Sequence, residues 1–214
     1  FINAGQTCIA PDYILIQKNM KSHFVDYLIN EITKAYGENP SDSPDYARII
    51  NTKNCQRLIH MIDAEKVIFG GQTDLKKCYI APTLIEENSL ETELMKDEIF
   101  GPILPILTYE KESEIEDIIS KYEKPLALYI FTENRIFSKE MIQKYSFGGG
   151  CVNDTMVHFS NKRLPFGGVG HSGIGAYHGV LSFDTFSHKK SILIKSNLLD
   201  LPFRYAPYKG KIAT

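Results

Sequence analysis

The feature that most constrains this chain is the regular alternation of short β-rich runs with amphipathic helical stretches. Tyr13 to Gln17 is a compact β-rich run that predicts a buried strand. Phe24, Leu28 and Ile32, with Val25, Ile29 and Tyr36, then mark one apolar helix face that Gly37 ends. After the loop Asn39-Pro40-Ser41-Asp42-Ser43-Pro44, a second helix is predicted from Asn51 or Thr52, with Cys55, Leu58, Ile59 and Ile62 on one side. Lys66 to Phe69, closed by Gly70-Gly71, predicts a strand, and Tyr79 to Ile85 an extended piece broken by Pro82. Ile103 to Tyr109 and Leu126 to Phe131 read as strands. Helical stripes follow them at Ile115, Ile118, Ile119 and Tyr122, and at Phe137, Met141, Ile142 and Tyr145. Gly148-Gly149-Gly150 ends the last of these, and Cys151-Val152-Asn153 starts a short strand. The alternation predicts an α/β fold with a largely parallel sheet and helices on both faces. Sites in such sheets gather at the carboxyl ends of strands. After Ser182 the pattern changes: Phe183 to Phe186 and Ser191 to Lys195 read as strands with no helix between them.

Length and charge exclude several classes. A chain of 214 residues can bury a sizeable core without metals or disulfides. Lys plus Arg number 24 and Asp plus Glu 26, and this near-balance, with no dense basic stripe, argues against a nucleic-acid partner. No apolar run approaches the ~20 residues of a membrane span. The first residues lack the basic start and apolar stretch of a signal peptide. Cys8, Cys55, Cys78 and Cys151 form no CxxC pair and have no histidine at zinc-ligand spacing, so no metal site is expected. They read as free thiols in a reducing compartment, which places the chain in the cytoplasm. Cys55, on an apolar helix face, reads as a core thiol.

Three segments carry candidate chemistry. Cys8 follows Asn3-Ala4-Gly5-Gln6-Thr7 and precedes Ile9-Ala10-Pro11. On residue chemistry alone, a catalytic thiol and a buried structural thiol are equally open. The Asn-x-Gly-Gln-x-Cys context favours the nucleophile, because glycine permits close approach of a backbone and the Cys8 N–H can contribute to an oxyanion site. In the second segment, Glu98-Ile99-Phe100-Gly101-Pro102, a carboxylate and an aromatic precede a turn and a strand. A carboxylate there can accept bonds from two sugar hydroxyls, and the ring can pack on a heterocycle. Taken alone, Glu98 reads as a solvated acid and Phe100 as a core ring. The third segment, Leu164 to Gly179, contains Gly-x-Gly-x-x-Gly at Gly168, Gly170 and Gly173. No adequate strand precedes it, so it reads as a turn that lets backbone pack closely and not as a phosphate cradle. His171 and His178 read as structural or exposed.

Together, in this order and spacing, these segments resemble the aldehyde dehydrogenase superfamily. Cys8-Ile9-Ala10-Pro11-Asp12-Tyr13, Val152-Asn153-Asp154-Thr155, Pro165-Phe166-Gly167-Gly168-Val169-Gly170, Gly175-Ala176-Tyr177-His178-Gly179 and Phe183-Asp184-Thr185-Phe186-Ser187-His188 are similar to its class 3 (fatty and aromatic aldehyde) branch. The resemblance implies that Cys8 attacks an apolar aldehyde to give a thiohemiacetal, that hydride passes to NAD or NADP, and that water hydrolyses the resulting thioester. It implies Glu98 on the nicotinamide ribose and Phe100 beside the nicotinamide. It places Asn153, His158 and Phe159 near the substrate tunnel. It also implies a catalytic domain over residues 1–188, an oligomerisation strand and C-terminal extension over 189–214, and a homodimer.

The same resemblance implies parts that no residue here matches. In the family, the dinucleotide-binding domain, the glutamate that activates water and the oxyanion asparagine precede the nucleophile. The expectation is therefore a catalytic-domain fragment with negligible turnover by itself. Two other functions remain open at this level: an acylating dehydrogenase that passes the thioester to coenzyme A, and a non-catalytic oligomerisation or interaction domain that keeps the scaffold.

Overall fold

The structure, a computed structural model, describes residues 1–209. Strands β1 (Ile14–Gln17), β2 (Val67–Phe69), β5 (Thr83–Glu86) and β6 (Ile103–Tyr109) form the main sheet; β3 (Thr73–Asp74) and β4 (Tyr79–Ile80) form a small antiparallel ladder beside it in sequence. The main sheet has the order β1-β6-β5-β2. β6 is central and runs parallel to β1, with Ile14 opposite Ile106, and to β5, with Thr83 opposite Ile103. β2 is the antiparallel edge strand on β5, with a register irregularity between Val67 and Phe69. β7 (Ala127–Ile130) and β8 (Gly149–Val152) form a second parallel pair, connected through a helix.

Helices α1 (Lys21–Tyr36) and α2 (Thr52–Met61) cover opposite faces of the main sheet. Successive side chains of a strand point to opposite faces. Leu84 and Leu104 accordingly join Val25 and Ile32 of α1, while Ile85 and Ile103 join Cys55 and Leu58 of α2. The two-sided cover explains why β5 and β6 read as continuous apolar runs. α1 stops at Gly37, whose φ of 79° a side-chain-bearing residue adopts at a cost. α2 starts at Asn51, whose side-chain oxygen accepts the Asn54 N–H at 2.8 Å. Cys55 is fully buried against this helix's core, as its position on the apolar face implied.

The remaining helices are α3 (Glu93–Lys96), α4 (Glu112–Ile119), α5 (Arg135–Lys144) and α6 (Val180–Thr185). Ile115 of α4, Ile130 of β7 and Met141 of α5 form a third core cluster, with Leu15 of β1 packed against it. That cluster joins the β7–β8 unit to the main sheet.

Two expectations about the C-terminal part change. Phe183 to Phe186 was expected as a strand, but residues 180–185 are helical. Gly179, at φ 54°, turns the chain, and the Ser182 hydroxyl accepts the His178 N–H at 3.1 Å, at the start of the helix. Ser191 to Lys195 forms no strand in this chain. A strand needs a neighbour for its backbone groups, and Ile192, Leu193 and Ile194 stand exposed. In the tail, Leu201, Phe203, Tyr205 and Tyr208 are about half exposed, around a short turn at Pro202–Arg204. Residues 210–214 of the expected C-terminal extension lie outside the described residues. No helix among the described residues is long and apolar enough to cross a membrane.

At the end of β5, Glu87 is 2% exposed. Burial opposes its ionisation, but hydrogen bonds from Lys66, Thr92 and the Ser89 and Asn88 amides outweigh that and hold the carboxyl below its usual range. Glu87→Gln should cost roughly 2–4 kcal/mol in urea unfolding at pH 7, since it breaks a buried charged network. A carboxyl lowered on folding stabilises above its unfolded value and loses that contribution as pH falls through the folded one. The difference between variant and wild type should therefore shrink on acidification below pH 4.

Candidate active site

The first ten residues form a tight loop that presents Cys8 at its tip. Asn3 and Ala4 adopt left-handed conformations at φ 52° and 51°, and Gly5 follows at 72°. The Gln6 side chain holds this shape: its amide donates to the carbonyls of Asn3 (3.0 Å) and Arg48 (3.1 Å), and its oxygen accepts the Ile50 N–H at 2.9 Å. Ala10 N–H donates to Thr7 O at 2.9 Å, closing a turn around Cys8. Ala4 and Ile9 are buried on either side, and Cys8 is exposed between them. The Cys8 N–H donates no hydrogen bond among the described residues, so it is available to a ligand oxygen.

The loop carrying Glu98 and Phe100 lies directly against this one. A Cβ placed on Gly5 would sit 2.1 Å from Gly101 O, and one placed on Gly101 would sit 2.5 Å from a Leu58 methyl. Backbone therefore packs on backbone, with α2 beneath. Ile99 is buried and gripped from both sides. Its N–H donates to Asp12 Oδ1 at 3.0 Å, and its carbonyl accepts from Arg57 Nη2 at 2.7 Å. With Ile99 fixed inward, Glu98 and Phe100 project outward. Phe100 sits at φ 52° and is 41% exposed, so it is not the core ring that the sequence alone suggested. Partial burial raises the Glu98 carboxyl, and the Arg57 guanidinium acts against that rise.

A third element reaches the Cys8 loop through Tyr129 of β7, whose hydroxyl donates to Ile9 O at 2.6 Å. Burial pushes this phenol up to about 12, and the thiols of Cys151 and Cys8 lie near enough to add to the rise, so Tyr129 remains a donor at neutral pH. Behind it stands an aromatic cluster. Tyr129 packs on His158 with centroids 5.9 Å apart, His158 on Phe166 at 6.1 Å, and Phe159 edge-on to Phe166 at 4.9 Å. His158 is almost wholly buried, and burial lowers its basicity. Its Nδ1 lies 3.5 Å from Cys151 Sγ. Phe159 is half-exposed at the cluster's edge.

The structure thus packs the loop that carries Cys8 against the loop that carries Glu98 and Phe100, at Gly5 and Gly101, and joins the cluster of His158 and Phe159 to the Cys8 loop through the Tyr129 hydroxyl. Asn153 is engaged elsewhere. At φ 59° it exchanges side-chain bonds with Thr132, accepting its N–H at 2.8 Å and donating to its carbonyl at 3.0 Å, which ties the ends of β7 and β8. The glycine-rich segment folds back on itself: Phe166 and Tyr177 exchange backbone bonds of 3.0 and 2.9 Å, and Cβ atoms at Gly167 and Gly168 would strike facing backbone near 2 Å. His171 is an exposed partner of Glu123, and His178 Nδ1 meets Leu164 O at 2.9 Å. Sequence reasoning missed the braces Asp12, Arg57 and Tyr129. Asp12 carried a signal, as the one charge in the apolar run Ile9 to Ile16.

Residues 1–192 match the profile of the family described as the aldehyde dehydrogenase family. The chain belongs to that family. It is 46% identical over 213 residues to the 4,4'-diaponeurosporen-aldehyde dehydrogenase of Staphylococcus aureus, a match covering 99% of this chain and 46% of that protein. It is 46% identical over 214 residues to the dimeric NADP-preferring aldehyde dehydrogenase of Mus musculus, covering 99% of this chain and 47% of that one. A solved structure described as the substrate-bound state of Staphylococcus aureus AldH superposes with a TM-score of 0.88 at 46% identity, over 99% of this chain and 46% of that chain. The chain spans less than half the length of these aldehyde dehydrogenases, and its α/β fold matches the corresponding part of that structure.

The Gly5–Gly101 contact can be tested directly. Gly5→Ala combines a left-handed alanine with a clash against fixed backbone, and should destabilise by roughly 2–4 kcal/mol in urea titration. Gly37→Ala, where a Cβ meets nothing within 4 Å, should cost less by the clash term.

Proposed function

We propose that this chain forms the nucleophile-bearing part of an NAD- or NADP-dependent aldehyde dehydrogenase that oxidises apolar aldehydes to carboxylic acids. The observation that carries this is the backbone contact of Gly5 with Gly101, which packs the loop of an exposed Cys8 against the loop of outward-facing Glu98 and Phe100. Cys8, once a thiolate, attacks the aldehyde carbon: a C–S bond forms and the carbonyl pair moves to oxygen. The free Cys8 N–H is placed on the nucleophile itself, where it can donate to that oxygen. A bound nicotinamide would supply the acceptor for the hydride that the Cys8 thiohemiacetal gives up in becoming a thioester, and water adding to that thioester would release the acid and return the thiol.

The residues present fit such a cofactor. Glu98 offers a carboxylate that can accept two ribose hydroxyls, and Phe100 offers an exposed ring face for a heterocycle. The name of the mouse relative records a preference for NADP. On the substrate side, the cluster of Tyr129, His158, Phe166 and Phe159, joined to the Cys8 loop through the Tyr129 hydroxyl, offers an apolar wall that suits fatty or aromatic aldehydes. Asn153 enters this reading as the residue that shapes the end of that wall. The exposed Ile192, Leu193 and Ile194 suit pairing with a second subunit, consistent with the mouse relative's being called dimeric. Residues 1–188 would then act as catalytic domain and 189–214 as subunit contact, in a reducing compartment such as the cytoplasm.

In the whole protein, Cys8→Ser should reduce aldehyde-dependent reduction of the dinucleotide by at least about 10⁴-fold. In mass spectra of the wild type quenched during turnover, an acyl adduct should map to Cys8. An adduct at Cys151 instead, or a Cys8→Ser variant with normal turnover, would refute this assignment.

A further inference from the structure

The geometry points to Asp12 as a positioning residue for the cofactor: its carboxylate, by holding the Ile99 amide, sets the angle at which Glu98 and Phe100 leave their loop. This rests on the dehydrogenase reading above. Asp12 follows the Cys8 turn by four residues and leads into β1, so it stands on the nucleophile side of the contact and reaches across to the other side. Ile99 is the pivot between the two projecting side chains: its side chain is buried in the core, and its backbone is hydrogen-bonded only by Asp12 Oδ1 on the N–H and by Arg57 on the carbonyl among the described residues. The two bonds fix the peptide units on either side of the Ile99 Cα. Release of the N–H side leaves the segment held by Arg57 and the buried Ile99 side chain, and loosens the Glu98–Ile99 peptide beside Phe100, which already occupies a left-handed conformation that needs external support.

The charge of Asp12 is held against the stability of the fold. Burial raises its carboxyl from 3.8 to about 6, opposed by the Ile99 and Phe100 amides; Glu98 adds to the rise and Arg57 acts against it. Tyr13 and Tyr122 also face it, and both phenols remain neutral, since burial raises them too. A carboxyl raised on folding stabilises fully below its unfolded value, and that contribution is lost as pH rises through the folded value. At pH 7 Asp12 is therefore ionised at a cost to the fold. A purely structural brace would be served by a neutral acceptor. The ionised form is the stronger acceptor for the Ile99 amide, so lowering pH through 6 should stabilise the fold while loosening the loop.

The experiment uses the whole protein. Amide exchange of Ile99 and Phe100, dinucleotide KM, kcat and unfolding free energy are followed from pH 5 to 8 for wild type, Asp12→Asn and Asp12→Ala. In the wild type, the Ile99 exchange rate relative to its intrinsic rate at each pH and the dinucleotide KM should both rise as pH falls through about 6, while unfolding free energy rises too. Asp12→Ala should raise dinucleotide KM by about tenfold at pH 7.5, the scale of one charged hydrogen bond to the cofactor lost when Glu98 is misaligned, with the rate of Cys8 alkylation unchanged. Asp12→Asn, which keeps an acceptor oxygen, should recover part of that loss and abolish the inflection near pH 6. The inference is overturned if KM shows no inflection in the wild type, or if Asp12→Ala lowers kcat and Cys8 alkylation together with stability while KM stays fixed. If the wild type binds no dinucleotide at any pH, the dehydrogenase reading fails first; if it binds and ignores Asp12, this inference alone fails. The wild-type pH series requires no variant to fold.

Discussion

The close approach of Gly5 to Gly101 is the constraint on which the rest of the site depends. Two backbone segments about a hundred residues apart meet with no side chain between them, over the methyl groups of Leu58. A side chain at either glycine would push the Cys8 loop away from the Glu98–Phe100 loop. Separation of even an ångström matters, because the proposed chemistry depends on a nucleophile and a hydride acceptor held in register. Around this contact the chain places Gln6 on one side and the Asp12–Ile99–Arg57 grip on the other, so the loop conformations are over-determined. That support is what lets Asn3, Ala4 and Phe100 remain in left-handed conformations that are costly for residues bearing a Cβ.

The sheet supplies the rigid base for these loops. β1 begins just after Asp12 and β6 begins just after Pro102, and the two are hydrogen-bonded neighbours. Both site loops thus run into adjacent strands of one sheet, at the ends where those strands start. α/β sheets more often collect their sites at the carboxyl ends of strands, so the general expectation does not locate this one. What locates it is the pairing of β1 with β6, two elements far apart in sequence. The aromatic cluster belongs to the β7–β8 unit and touches the Cys8 loop through one hydroxyl, that of Tyr129.

Much of this was legible in the sequence, for identifiable reasons. Gly37 and Asn51 mark helix ends through local backbone and capping chemistry, and Cys55 and Leu58 fall on a face that needs only a period to detect. Local signals failed where the answer depended on a neighbour. Phe183 to Phe186 reads as a strand but pairs with none, and the turn at Gly179 with the Ser182 hydroxyl on the His178 N–H starts a helix there. Ser191 to Lys195 lacks a pairing strand within the described chain. Phe100 looked like a core ring because its outward direction is imposed by the burial of Ile99 next door. Asp12 was visible only as a charge in an apolar run, and its role needed a partner 87 positions away. The family resemblance proposes roles for Cys8, Glu98 and Phe100, and the structure adds the contact that brings their loops together.

The measurement that tests this account most directly is protection of the thiols by dinucleotide. Iodoacetamide labelling of Cys8, Cys55, Cys78 and Cys151 in the whole protein is followed with and without NAD or NADP, and repeated with Phe100→Ala. The account predicts that dinucleotide changes the Cys8 labelling rate by about tenfold or more, leaves buried Cys55 unlabelled throughout, and loses most of its effect in Phe100→Ala. Saturating dinucleotide that leaves Cys8 labelling unchanged, or an effect equally large in Phe100→Ala, would show that the two loops do not share a site.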